Sequence, residues 1–311
     1  MKIIFMGTPD FAAVCLDGLI KAGHEICGVL TQPDRPKNRG HKIVYSPVKE
    51  LALKNNILIL QPESLRNEII LNEICDKMRE MKPDLIAVAA YGKILPEKIL
   101  NIAKYGAINV HASLLPKYRG AAPIQRAIMA GEIETGISIQ YMAKELDAGD
   151  IILEKKLTIG EHENAAELTA RLAALGAEVL LQAIEDIESG SASRTPQNHA
   201  LAVYAPMLSR NDSPIDWTRP ARMIDCQVRG LIPWPCAEMV LPIAGTVKIW
   251  DCEETGEKYN NITPGKLIAA DKKGLKIVCG DGNILLVKEI QAKGGKKMPF
   301  ADWYRGHPFE I

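Results

Sequence analysis

The 311-residue chain has no excess charge of either sign, with 38 Lys and Arg against 38 Asp and Glu. A nucleic-acid partner would therefore have to be met by a local basic patch rather than by overall charge. The sequence also lacks any cysteine pattern. Its seven cysteines, at positions 15, 27, 75, 226, 236, 252 and 279, are odd in number and include no Cys-x-x-Cys pair. That argues against a disulfide framework and a zinc site, and for a reduced compartment. No apolar run approaches the ~20 residues of a membrane span. The short apolar run Ile3 to Met6 is too brief for a signal-peptide core. The expectation is a cytoplasmic protein, in which the Asn-x-Ser/Thr matches at Asn211 and Asn261 arise by chance. Repeats and low-complexity tracts are missing too, and 47% hydrophobic with 24% charged residues is the balance of an ordinary globular chain. The Gly-x-Gly-x-x-Gly fingerprint is absent. Gly7 follows a strand and Thr8-Pro9 opens a helix, but no NAD site is expected.

What is present is an alternating pattern. The length exceeds what one hydrophobic core usually fills, so two domains are expected. Apolar runs at Ile3 to Met6, Ile26 to Leu30, Ile57 to Leu60, Leu85 to Ala89 and Ala107 to Val110 alternate with helix-period segments. This reads as α/β, a Rossmann-like, mostly parallel sheet covered on both faces. Thr8 before Pro9, and Ser46 before Pro47, place a capping hydroxyl ahead of a first-turn proline, predicting helices over Asp10 to Ala22 and Val48 to Asn55. A long helix, roughly Ala165 to Glu188, closes the first domain at residues 1–189, and residues 190–206 read as a linker. In residues 207–311, short apolar runs such as Thr246 to Trp250, Gly265 to Ala270, Leu275 to Val278 and Ile284 to Ile290 alternate with turn signals, predicting a small β-barrel. Trp217, Trp234 and Trp250 are expected to serve packing rather than base stacking.

The segment Ile108-Asn109-Val110-His111 ends an apolar strand in polar side chains spaced i and i+2, which point to one side. Ligand crevices of open α/β sheets form at such carboxyl ends. A carboxylate that could join them is Asp147, in the turn Glu145-Leu146-Asp147-Ala148-Gly149-Asp150. When an amine attacks a formyl carbon, an oxyanion develops and the nitrogen must shed a proton. An amide donor and an imidazole can bind that oxygen, and a carboxylate can take the proton or orient the imidazole. Singly, each residue has a plainer reading, as a satisfied loop side chain or a turn former.

Together, Asn109-x-His111 followed by Ser113-Leu114-Leu115-Pro116, and Leu146-Asp147-x-Gly149-Asp150, resemble the active-site signature of the 10-formyltetrahydrofolate-dependent formyltransferases. The resemblance implies a catalytic trio of Asn109, His111 and Asp147. It implies that Ser113, Leu114, Leu115 and Pro116 lie beside the tetrahydrofolate, and that the backbone of Ala89, Ala90, Tyr91 and Gly92 lines the pterin pocket. The donor is then a co-substrate, and no metal is implied. Further segments, among them Phe5 to Ala12, Thr31 to Pro36, Ser46 to Lys49, Arg119 to Arg126, Ile215 to Trp217 and Pro233 to Pro235, are similar to the branch of that family that formylates methionyl initiator tRNA.

The stretch from Asp34 to Lys49 holds Arg35, Lys37, Arg39, Lys42 and Lys49 against Asp34 alone. Such a run is usually a solvated face. The resemblance implies a long loop that enters the acceptor end of the tRNA, with Arg35, Lys37, Arg39 and Lys42 as contacts and Arg39 foremost. It also implies an OB-like, tRNA-binding C-terminal domain, in which Lys293, Lys296 and Lys297 could touch phosphates, and the expectation is a monomer. Two other readings stay open: a formyltransferase for a small amine, and a non-catalytic RNA-binding protein that keeps the fold.

Overall fold

A computed structural model describes residues 1–37 and 42–311, with the backbone alone at 36, 37, 42 and 43. Two compact units divide the chain: residues 1–123, 134–158 and 169–205 form the first, and 124–133, 159–168 and 206–311 the second.

The first unit is built on a seven-stranded sheet. Its strands are β1 (Lys2–Gly7), β2 (Glu25–Leu30), β5 (Ile59–Leu60), β6 (Leu85–Ala89), β7 (Ala107–His111), β9 (Glu134–Tyr141) and β10 (Ile151–Thr158), in the order β10-β9-β7-β6-β1-β2-β5. From β7 to β5 all pairs are parallel, while β9 and β10 add an antiparallel edge. Ile3, Ile4, Phe5 and Met6 are all fully buried, so both faces of β1 are covered. Burial of each such side chain is worth about 1.5–3 kcal/mol over exposure. Helices α1 (Asp10–Lys21), α2 (Pro47–Lys54), α3 (Glu68–Glu80) and α4 (Glu97–Leu100) fall between the strands, and α6 (Ala165–Ser189) follows β10. The first five predicted strands are present, although Ile57 to Leu60 shrinks to two residues. The antiparallel β9, which the apolar runs did not announce, follows α5 (Pro123–Met129) after a turn at Gly131, φ +75°.

Two local expectations need correction. Ser46 caps α2 by accepting from the Lys49 N–H at 3.1 Å. Thr8 does not cap α1; the cap position is Pro9, and the Thr8 hydroxyl donates instead to the Tyr91 carbonyl at 3.3 Å. The basic stretch is not simply a loop: β3 (Arg35–Lys37) and β4 (Lys42–Val44) pair antiparallel, with Arg35 opposite Val44 and Lys37 opposite Lys42.

Of residues 190–206, read as a linker, 190–205 belong to the first unit. Thr195 bridges to Ile151 by reciprocal backbone bonds of 2.8 and 3.0 Å. Further on, β11 (Tyr204–Ala205) pairs in parallel with β8 (Arg119–Gly120). Exposed residues flank Gln197, which is itself 6% exposed.

The second unit carries a six-stranded antiparallel sheet of β12 (Ala237–Leu241), β13 (Gly245–Lys258), β14 (Leu267–Asp271), β15 (Gly274–Val278), β16 (Asn283–Ala292) and β17 (Met298–Pro299). The order is β12-β13-β16-β15-β14, with β17 on β16. Irregular register between β13 and β16 bends the long strands, as a small curved sheet requires. Helices α7 (Ala221–Gly230) and α8 (Phe300–Gly306) belong to this unit, as do residues 124–129 of α5 and the first turn of α6. Among the described residues, no helix is long and apolar enough to cross a membrane.

Candidate active site

Strand geometry sets the first pair of side chains. Asn109 and His111 share one face of β7, and across the β7/β9 ladder Gln140 stands opposite Asn109 and Ser138 opposite His111. The connection from β9 to β10 folds back over this face. Its Asp147 Oδ2 comes to 3.7 Å from His111 Nδ1, and its Oδ1 accepts from Gln140 Nε2 at 3.2 Å. Asn109, His111 and Asp147, expected from the sequence as a trio, are therefore brought onto one face.

Why this connection takes its path is visible in two glycines. A Cβ on Gly149 would stand 1.8 Å from the Tyr141 carbonyl oxygen, so only glycine lets the turn close against the end of β9. Gly120, at φ +117°, turns its N–H onto Asp147 Oδ2 at 2.8 Å. Asp147 itself is left-handed, at φ +49°, a conformation that costs a non-glycine residue roughly 1–3 kcal/mol and persists only when its surroundings hold it.

His111 is 5% exposed, and its Nε2 meets the Tyr118 carbonyl oxygen at 2.9 Å. A carbonyl can only accept, so Nε2 carries the ring hydrogen and Nδ1 in the neutral ring is an acceptor. Beside it, the side-chain amide of Asn109 makes no hydrogen bond among the described residues and is partly accessible. It is the free donor of the group.

The two segments expected beside the folate leave the carboxyl ends of adjacent parallel strands. Ala89 ends β6, and Ala90 and Gly92 follow with φ of +44° and +79°. The ring of Tyr91 belongs to the core, 2% exposed with its hydroxyl buried and unpartnered, and burial pushes that hydroxyl up to about 12. The Tyr91 ring is therefore closed to a ligand while Ala90 and Gly92 are exposed, and the Tyr91 carbonyl is already held by Thr8 and by Gln32 Nε2 at 3.1 Å. After β7, Ser113 donates to the Lys117 carbonyl at 2.6 Å. Leu114 is half-buried, the Leu115 N–H donates to Ser138 Oγ at 3.0 Å, and the Leu115–Pro116 bond is cis.

The basic hairpin is anchored at its base. Thr31 Oγ1 and Ser46 Oγ lie 2.8 Å apart, and Lys49 bonds Asp34 and, at 2.9 Å, Gln61 Oε1. Burial pushes the Asp34 carboxyl up, but hydrogen bonds from Lys49 and Gln61, with the Lys49 charge, outweigh it and hold the group below its usual range. Arg35 is exposed on β3, Lys37 and Lys42 face each other in the backbone ladder, and Arg39 lies outside the described residues. In the second unit Lys297 is paired with Glu289 at 2.6 Å, which ties up one lysine expected for phosphates. Trp250 is half-buried and donates to Gln291 at 3.1 Å, whereas Trp234 is 52% exposed and does not fit its expected packing role.

Sequence reasoning missed the supports: Gln140, Gln197, Arg119 and Ser138. The period-2 pattern of 134–141 was the one available signal, since it sets Ser138 and Gln140 on a single face.

The chain matches the formyl transferase family over residues 1–184 and the formyl transferase C-terminal domain family over residues 207–308. It is 47% identical over 310 residues to the methionyl-tRNA formyltransferase of Alkaliphilus oremlandii, covering 100% of this chain and 98% of the other. To that of Sulfurihydrogenibium it is 46% identical over 308 residues, covering 99% and 97%. A solved N-formyltransferase from Helicobacter canadensis, in complex with folinic acid and dTDP-3-aminofucose, shares the fold at a TM-score of 0.69 and 18% identity, over 92% of this chain and 98% of that one.

Proposed function

The chain belongs to the methionyl-tRNA formyltransferase family, and on that premise we propose that it moves the formyl group of 10-formyltetrahydrofolate onto the α-amino group of methionyl initiator tRNA. The observation that carries the chemistry is the meeting of Asp147 with His111 at 3.7 Å, on the same face as the free amide of Asn109.

The α-amine titrates near roughly 7.7–8.0, so part of it is neutral at pH 7 and attacks without a strong base. The new bond joins amine nitrogen to formyl carbon, and the bond from that carbon to N10 of the folate breaks. Asn109 donates to the oxyanion between these events. With the imidazole neutral, the pair of His111 Nδ1 and the Asp147 carboxylate takes the proton the amine sheds. A proton returned to N10 completes tetrahydrofolate. The open backbone of Ala90 to Gly92 and the turn from Ser113 to Pro116 fit a flat ring system held at strand ends.

The basic hairpin, through Arg35, Lys37, Arg39 and Lys42, and the C-terminal unit supply tRNA affinity in this reading. The test is incubation with 10-formyltetrahydrofolate and, in parallel, methionyl initiator tRNA, methionyl elongator tRNA or free methionine. Formylation confined to the initiator is expected; equal formylation of free methionine would overturn the reading.

A further inference from the structure

Arg119 is 2% exposed, and among the described residues its guanidinium meets an amide and an imidazole and no carboxylate. Nε and Nη2 donate to Gln197 Oε1 at 3.0 and 2.6 Å, and Nη1 lies 3.4 Å from His199 Nδ1. A guanidinium has donors only, so it fixes which end of the Gln197 amide faces it. The amino end must then point the other way. There Nε2 has three acceptors within reach: the Gly149 carbonyl at 2.7 Å, the Asp147 carbonyl at 2.9 Å and Gln140 Oε1 at 3.2 Å. Gln140 in turn donates to the Asp147 carboxylate. One buried amide thus grips the left-handed Asp147 turn by its backbone, and touches the side chain that grips its carboxylate.

We propose that Gln197 is a positioning residue for formyl transfer, holding the Asp147 turn over β7 with an amide whose orientation Arg119 dictates. The inference rests on the function proposed above. The side-chain bonds of Gln197 run to Arg119, Gln140 and the Asp147 turn, so it acts through Asp147, whose carboxylate must stay near His111 for the proton to leave. Misplacement of such a group by about 1 Å costs on the order of 10²-fold in rate.

Two substitutions separate the roles. Gln197→Glu keeps an acceptor for Arg119 and loses both donations to the turn; Gln197→Met loses everything at similar volume. Steady-state kinetics with 10-formyltetrahydrofolate and methionyl initiator tRNA should show kcat lowered about 10- to 100-fold by either change, with both KM values within about 3-fold of wild type. Single-turnover rates then test the route of action: in an Asp147→Ala background, Gln197→Glu should cost less than about 2-fold more. Wild-type kcat in Gln197→Glu, a change confined to KM, or losses that multiply would each overturn the assignment. Unfolding of both variants, judged by Tm, would make Gln197 a folding residue and overturn it as well. An inactive wild type on methionyl-tRNA is a separate result, which removes the functional reading and the inference with it.

Discussion

His111 Nδ1 and Asp147 Oδ2 face each other across 3.7 Å, while the opposite ring nitrogen of His111 is held by the Tyr118 carbonyl. The gap exceeds a direct N–H···O bond of about 2.7–3.2 Å. In the neutral ring, with its hydrogen on Nε2, Nδ1 and the carboxylate are two acceptors, and a proton or a water between them satisfies both. The pair is thus arranged to receive a proton, and the separate amide of Asn109 to stabilise negative charge.

Asn109→Ala should lower kcat by about 10²–10³-fold, the usual effect of removing one oxyanion donor. Because the amide has no hydrogen bond of its own among the described residues, folding should be unaffected. Turnover at the wild-type rate in the folded variant would remove Asn109 from the reaction.

His111→Ala and Asp147→Ala should be at least as harmful as Asn109→Ala. Since both are assigned to one proton transfer, the double variant should lose little more than the worse single one. Losses that multiply would mean that the two residues act separately.

The sheet was legible because the parallel strands are buried on both faces and appear as unbroken apolar runs, as Ile3 to Met6 does. Asn109 and His111 were legible from period 2 at the end of such a run. The supports were not. Gln197 lies in a stretch rich in Ser, Pro and Asn whose neighbours are exposed, and nothing local marks one glutamine as buried; its partners are 48 to 78 residues away. Thr8 failed as a cap for the same reason, since the Tyr91 carbonyl that takes its hydroxyl is 83 residues distant.

A chain cut after residue 189 should be markedly less stable than one cut after 206. The shorter piece loses the Thr195–Ile151 bridge, the Arg119–Gln197 bonds and the β8/β11 pairing, and leaves the Arg119 charge buried without acceptors. Urea unfolding of both pieces is the measurement. Equal midpoints would return residues 190–206 to the status of a linker.

Asp34 should contribute stability only above the acid range. Its folded-state carboxyl lies below its usual value, so the contribution is complete above the unfolded value of about 3.9 and fades as pH falls through the folded one. Asp34→Asn should accordingly lower Tm at pH 7, and the difference from wild type should narrow at pH 3. A constant difference would show that Asp34 acts by packing.

The basic hairpin decides between tRNA and a small acceptor. Its base is pinned by Thr31, Ser46, Asp34, Lys49 and Gln61, which leaves the strands Arg35–Lys37 and Lys42–Val44 as an arm carrying positive charge in a neutral protein. Phosphate contacts release counterions, so each one lost should reduce the salt dependence of binding, with a change in slope of about 1. Arg39→Ala and Lys42→Ala should weaken productive binding of methionyl initiator tRNA in this way. Arg39 should matter more, because a guanidinium can bond phosphate through two donors at once and an ammonium is a point charge. Folate affinity should hold steady in Arg39→Ala, since the strand-end segments at 89–92 and 113–116 do not include the arm. Bound tRNA should also shield the arm from trypsin at Lys37, Arg39 and Lys42, whereas Arg35 precedes Pro36 and offers no cleavable bond. Formylation measured at two salt concentrations, with folate affinity alongside, gives the answer. If Arg39→Ala matches wild type at both, the arm is not part of the tRNA site, and an acceptor far smaller than tRNA becomes the better reading.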